Sequence, residues 1–362
     1  MRGKFFRLIG LWLAAALLLA ACGEVAPTPS PSTGTPTATG DPAPTVATGD
    51  LQKVTIALGY IPDVQFVPFY LALNEGYYRD EGLDVTLRNG IVPDLIPQLG
   101  AGEGGVNFAA VSGDEIIPAR LQGIPVTYAM TWYRQYPVAA VSIEGKGPSL
   151  KTPADLKGHK VGVPGPYGSS YVGLLALLKA AGLTLNDIQM ESVYFTQVPS
   201  LLSGQVEVAM VYAANEPVQL RSQGTAVTTL KVADYAQLAS NGLATNDRTL
   251  AEDPELVTKV VRATLKGIAA TIADPEAAFE SSLKQVPEAA ENRDLQLEIL
   301  RETVKLMQPN PAGSDRPEPI PGWVERDVWE QTQDFLLEAG LIDEKGNVDE
   351  MFTNRFVEEA AE

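Results

Sequence analysis

The sequence of 362 residues holds one cysteine and one histidine, and these two shortages exclude more than any motif does. Cys22 has no partner with which to close a disulfide, and one Cys with one His cannot build a Cys/His zinc site. His159 sits in Lys157-Gly158-His159-Lys160, a turn signal leading into a strand, where a solvated side chain is expected. Ser-His-Asp or Cys-His catalysis therefore has no base to work with, and the expectation is no enzyme, no catalytic residue, no metal and no cofactor. Positive charge is scarce as well: 27 Lys and Arg against 45 Asp and Glu give a formal charge of −18. That sign argues against nucleic acid as a partner and against polybasic docking to a membrane. Long apolar runs are missing too. The longest, Leu8–Ala21, covers 14 residues, where a membrane span needs about 20.

What is present is ordinary for a folded protein: 45% hydrophobic and 20% charged residues, on a chain long enough for two cores. Arg2, Lys4 and Arg7 ahead of Leu8–Ala21 read residues 1–22 as an export signal, ending in Leu19-Ala20-Ala21-Cys22-Gly23. Residues 23–50 are Pro, Thr, Ser, Gly and Ala with few large apolar side chains, which predicts a disordered tether. From Lys53 onward short apolar runs alternate with helical patterns, the sign of an α/β fold with parallel strands and crossover helices. Strands are expected at 54–58, 83–87, 106–111, 126–132, 139–143, 160–163, 192–195 and 206–212. Helices are expected at 68–77, 92–101, 112–122, 172–181, 198–203, 254–273, 275–286, 295–307 and 326–339.

Four loops fall at the carboxyl ends of expected strands, where open α/β sheets bind ligands. They contribute Tyr60, Asp63 and Phe66; Ser112 and Asp114; Gly165, Tyr167, Ser169, Ser170 and Tyr171; and Tyr212, Asn215 and Glu216. Trp132 and Tyr133 lie in the segment that links the first α/β unit to the second. Gly162, Gly165 and Gly168 are spaced as neither a dinucleotide fingerprint nor a P-loop, although serines at a helix start can hold a polar group. These windows gather ten of the 26 aromatic residues, with Phe69 and Tyr70 the ones most expected in the core. Arg134 is their only base, which is thin for an anionic ligand, whereas Asp63, Asp114, Asn215 and Glu216 suit hydroxyl and N–H donors. A neutral, planar heterocycle fits that mixture.

The stretch Gly59–Val85, GYIPDVQFVPFYLALNEGYYRDEGLDV, resembles the opening of the solute-binding proteins of ABC importers. Within them it is most similar to the branch that takes thiamine pyrimidines, sulfonates and riboflavin, and Gly165–Gly173, GPYGSSYVG, adds a likeness to its riboflavin-binding members. The resemblance implies a two-lobed periplasmic-binding-protein fold of type II with two crossover hinge segments. Lobe 1 would hold residues 51–137 and 240–362, lobe 2 residues 138–239, and the loops above would face the cleft between them. It also implies fatty acylation, palmitate included, at Cys22 in a lipoprotein box. The product would be a lipid-anchored monomer on the extracytoplasmic face of the cell membrane, with an ABC permease as its partner. Its ligand would be riboflavin first and the thiamine precursor formylaminopyrimidine second. Fungal pyrimidine synthases share this fold, but they consume an active-site histidine and use a cysteine-rich motif, and this chain has neither.

Overall fold

The computed structural model describes residues 50–308 and 320–362. The export segment, Cys22 and the tether up to residue 49 lie outside the described residues, as does the Pro-rich stretch 309–319. Among the described residues ten strands form two five-stranded sheets. β1 (Gln52–Leu58), β2 (Leu83–Asn89), β3 (Val106–Ser112), β4 (Val126–Thr131) and β10 (Asn241–Asn246) make the first, in the order β2-β1-β3-β10-β4. β5 (Val138–Ile143), β6 (Lys160–Val163), β7 (Gln189–Ser192), β8 (Val208–Tyr212) and β9 (Val227–Lys231) make the second, in the order β7-β6-β8-β5-β9. The fold is α/β, in two lobes, and the chain crosses between the sheets twice, from β4 to β5 and from β9 to β10.

The sheets are mixed: the expected parallel strands are there, and each sheet also carries one strand that runs against them. β2, β1 and β3 run parallel, with Ile56 opposite Leu87, but β10 runs antiparallel to both β3 and β4, with Leu243 opposite Ala110 and Met130. In the second sheet β7, β6 and β8 are parallel, and β5 runs antiparallel to β8 and β9. The reason is geometric. Each crossing delivers the chain at the carboxyl ends of the parallel strands, so the arriving strand has to run the other way.

Local chemistry sets most of the helix limits. Asp253 caps Pro254–Ala273 through the Leu256 N–H (3.2 Å), and Pro254 stands where its missing N–H costs nothing. Three expectations shift. The helix expected over 68–77 breaks at Gly76, whose φ of 80° is left-handed, leaving Val67–Asn74 and Tyr77–Asp80. The helix expected from Val172 starts at Gly168, so Ser169, Ser170 and Tyr171 lie on its first turn. The strand expected at 192–195 is β7 ending at Ser192, and the chain then turns through Tyr194 with φ 50°.

The two crossings are tied to each other. The Trp132 and Tyr133 N–H groups both donate to the Asn241 carbonyl (2.8 and 2.9 Å), and the Ser240 hydroxyl donates to the Gln135 carbonyl (3.1 Å). A pair of linked strands of this kind can bend together while holding their register.

Candidate functional site

A cleft opens between the lobes at the carboxyl ends of the parallel strands. It encloses a cavity of about 110 Å³ and is partly open to solvent. β1, β2, β3, β6, β7 and β8 each send the following loop or helix start to the wall. From the first lobe come Gly59, Tyr60, Gln65 and Phe66 after β1, Ile91, Val92 and Pro93 after β2, and Ala110 to Ser112 with Glu115 after β3. From the second come Pro164 and Tyr167 to Ser170 after β6, Phe195 and Gln197 after β7, and Tyr212, Asn215 and Glu216 after β8. Asn241, the first residue of β10, completes the lining.

Aromatic rings reach the cleft from both sides. Tyr60 of the first lobe meets Phe195 of the second edge to face, with centroids 5.1 Å apart at 83°. Tyr167 and Phe195 keep 38% and 41% of their surface exposed, so both rings have area left to cover a flat ligand. Between the rings stand amides and hydroxyls: Gln65, Gln197, Asn215, Asn241, Ser112, Ser169 and Ser170. Asn241 Oδ1 is buried without a hydrogen-bond partner, while its Nδ2 lies 3.4 Å from the Tyr212 hydroxyl.

The carboxyl groups are held away from their usual ionisation. Burial pushes Glu216 up to about 7, and the nearby Asp63 charge adds to that, although N–H groups of Glu216 itself and of Tyr212 (3.1 Å) draw it back. Burial pushes Asp63 up to about 6 against the pull of the Gln65 N–H, which it accepts at 2.9 Å. Glu115 is raised well above the carboxylate range by burial and by Asp114 beside it. All these shifts share one first cause, burial, and among the described residues no cation lines the cleft to offset it.

Of the residues expected at the site, Tyr60, Phe66, Ser112, Tyr167, Ser169, Ser170, Tyr212, Asn215 and Glu216 line the cleft. The remaining six do not, and each has another place. Trp132 is 2% exposed behind Phe66, on which it stacks at 5.6 Å and 30°, and it packs against Phe69 and Tyr133 in the core of the first lobe. Tyr133 is buried in the same cluster. Gly165 leaves room for the Tyr167 ring, since a Cβ there would stand 2.3 Å from it. Tyr171 is half-buried on the first turn of Gly168–Ala180, away from the lining. Asp63 caps the short turn Val64–Phe66.

Asp114 is the most informative of the six. It is 1% exposed, accepts from the Tyr136 hydroxyl at 2.5 Å and from the Ser169 hydroxyl at 3.2 Å, and Tyr136 also lies 2.9 Å from the Ser169 carbonyl. One carboxyl thus joins the first lobe, the first crossing and the second lobe. Tyr136→Phe removes a donor from this buried acceptor and is expected to cost about 1–3 kcal/mol, read as a lower denaturant midpoint at unchanged slope. An unshifted midpoint would show that the bond does not hold the lobes.

His159 lies outside the cleft, with Nδ1 3.1 Å from Glu207 Oε1 in its turn. Gln65, on the same strand-end loop as Tyr60 and Phe66, also lines the cleft, and Ile91, Val92, Pro93, Glu115, Phe195, Gln197 and Asn241 do so without having been singled out in the sequence.

Two mixed sheets, two crossings and a cleft at the strand ends are a general plan, and sequence comparison narrows it. The NMT1/THI5-like family matches residues 63–278, which is more than half of the chain. The chain belongs to that family. The riboflavin-binding protein RibY of Chloroflexus aurantiacus is 38% identical over 353 residues, covering 97% of this chain and 97% of that protein. The formylaminopyrimidine-binding protein of Halalkalibacterium halodurans is 27% identical over 92% of this chain and 95% of its own length. Among solved structures, the periplasmic aliphatic sulphonate binding protein SsuA of Escherichia coli superposes with a TM-score of 0.65 at 19% identity, covering 84% of this chain and 92% of that one. At that identity the likeness speaks for the fold, the periplasmic-binding-protein fold expected from Gly59–Val85.

Proposed function

We propose that this chain is the extracytoplasmic solute-binding component of an ABC importer, and that it captures riboflavin and delivers it to a membrane permease. The observation that carries the reading is the cleft. Aromatic rings enter it from both lobes, amides and hydroxyls stand between them, and among the described residues neither Lys nor Arg lines it. The isoalloxazine ring is broad and poorly hydrated on its faces, so Tyr60, Tyr167, Phe195 and Tyr212 suit it. The ribityl hydroxyls find acceptors in Glu115, Asn215 and Glu216. The identity with RibY along nearly the whole chain supports the same choice.

A binding role rather than catalysis is supported by the lining, which among the described residues has serines but no histidine, cysteine or lysine to activate them. Riboflavin contacts made from both lobes would favour a closed arrangement, with the two crossings as the hinge between lobe 1 (51–137 and 240–362) and lobe 2 (138–239). Among the described residues no helix is long and apolar enough to cross a membrane. Membrane attachment therefore rests in this proposal on acylation at Cys22, with the chain acting as a monomer.

Titrating the protein into dilute riboflavin tests the ligand, because stacking on tyrosine quenches flavin fluorescence. Saturable quenching is expected, and Tyr60→Ala and Tyr212→Ala should each weaken it about 2- to 13-fold, the value of one aromatic contact. Formylaminopyrimidine is the second reading, supported by the Halalkalibacterium relative. Tight binding of that smaller ring, with no quenching of riboflavin at micromolar protein, gives the site to it instead.

A further inference from the structure

We propose that the cleft selects its ligand in the unphosphorylated form, and that Glu115, set against the start of the helix at Gly168, is the residue that enforces the choice. The inference rests on the riboflavin reading and extends it to the ligand's charge. Two acidic side chains converge on the cleft from opposite lobes, Glu115 from the helix Gly113–Leu121 and Glu216 from the helix Glu216–Ser222. Among the described residues no lysine, arginine or histidine lines it.

Glu115 reaches across the gap. A Cβ built on Gly168 would lie 3.5 Å from Glu115 Oε1. Gly168 opens a helix of 13 residues, whose first N–H groups lack partners within it and favour negative charge. Helices also start at the wall at Val92, Gln197 and Glu216, and the 13-residue helix is the longest of them; its start at Gly168 would attract a phosphate. The protein's own carboxyl already lies against it.

A phosphomonoester entering here loses its hydration and meets no cation in return. Glu115 and Glu216 offer it no counter-charge and repel it wherever they are ionised, and the chain's formal charge of −18 opposes its approach. The same walls push both glutamates toward their neutral forms, so they already penalise negative charge on groups fixed in place. A ribityl chain ending in a hydroxyl pays none of this, because its hydroxyls donate to the carboxyls. Riboflavin and its 5′-phosphate, flavin mononucleotide, share the same ring and differ only at that end, so their comparison isolates the charge.

The experiment is a pair of fluorescence-quenching titrations on the full chain, one with riboflavin and one with flavin mononucleotide. Each is repeated on Glu115→Gln and on Glu216→Gln, with thermal melts to establish that the variants are folded. Flavin mononucleotide is expected to bind at least about 100-fold more weakly than riboflavin, the scale of a like-charge juxtaposition in a desolvated site. Glu115→Gln should narrow that ratio by about tenfold or more, and Glu216→Gln should narrow it less. Equal binding of the two flavins to the unaltered protein overturns the inference and leaves the riboflavin reading intact. A ratio that neither variant narrows overturns the role of the carboxyls. Binding of neither flavin removes the ligand reading, and this inference with it.

Discussion

Trp132→Ala is expected to lower folding stability by about 3–5 kcal/mol, the cost of removing a large side chain from a closed core. Trp132 is 2% exposed and packs on Phe66, Phe69 and Tyr133, so the deletion leaves a space that three rings cannot fill without moving. Riboflavin affinity should fall as well, through Phe66, which lines the cleft in front of it. Trp132→Phe separates the two effects. It keeps a ring in the stack and removes an indole N–H that is buried without a partner, so it should cost less than half as much. Denaturant melts and flavin titrations on both variants provide the check. A Trp132→Ala protein of unchanged stability but abolished binding would mean that the indole contacts the ligand directly.

Glu216→Gln is expected to make the protein more stable at pH 8 than the parent, by up to about 3 kcal/mol, and to leave it little changed at pH 4. Glu216 is raised from 4.5 to about 7 in the fold, and each unit corresponds to about 1.4 kcal/mol. Between those values the folded chain holds a proton that the unfolded chain has released. The parent's stability therefore falls as pH rises through that window, and the penalty is complete above about 7. Asp63, raised to about 6, adds a loss of the same sign over a lower window and also faces Glu216, as does the Tyr60 hydroxyl. Glutamine keeps an oxygen for the Tyr212 N–H and carries no charge to desolvate. Melts across pH 4 to 8 decide the matter, and a gain of equal size at both ends would assign the stabilisation to something other than ionisation. Buried carboxyls that cost stability when empty fit a site that waits for donors from its ligand.

Much of this site was legible because a strand end is easy to find. Tyr60, Tyr167 and Tyr212 stand beside Gly, Pro or small residues that stop a strand, and the cleft is made where strands stop. Direction was not legible. Asp114 and Glu115 are neighbours on one helix, where successive side chains diverge by roughly 100°. Asp114 therefore turns to Tyr136 and Ser169, and Glu115 turns to the cleft. Trp132 and Tyr133 lie on a crossing as expected, but their N–H groups are held by Asn241 and their rings point into the core. Phe195 was hidden by reading β7 through to residue 195. The left-handed turn at Tyr194 brings that ring to the lip, and a tyrosine gives no glycine-like signal that such a turn is present.

The position of β10 has a consequence for how the chain can be divided and made. β10 lies between β3 and β4, and among the described residues it is the only strand that pairs with β4. Residues 138–231 contain every strand of the second sheet, so that lobe's pairings can all be drawn from one uninterrupted segment. No such segment exists for the first lobe: any stretch holding all its strands must carry the other lobe as an insert. During synthesis the ribosome releases all of β5 to β9 before the strand that joins β4 to its sheet exists. Until then β3 and β4 each present an open edge, the kind of surface on which chains associate wrongly. The lobe that is first in sequence is thus the last whose sheet can close.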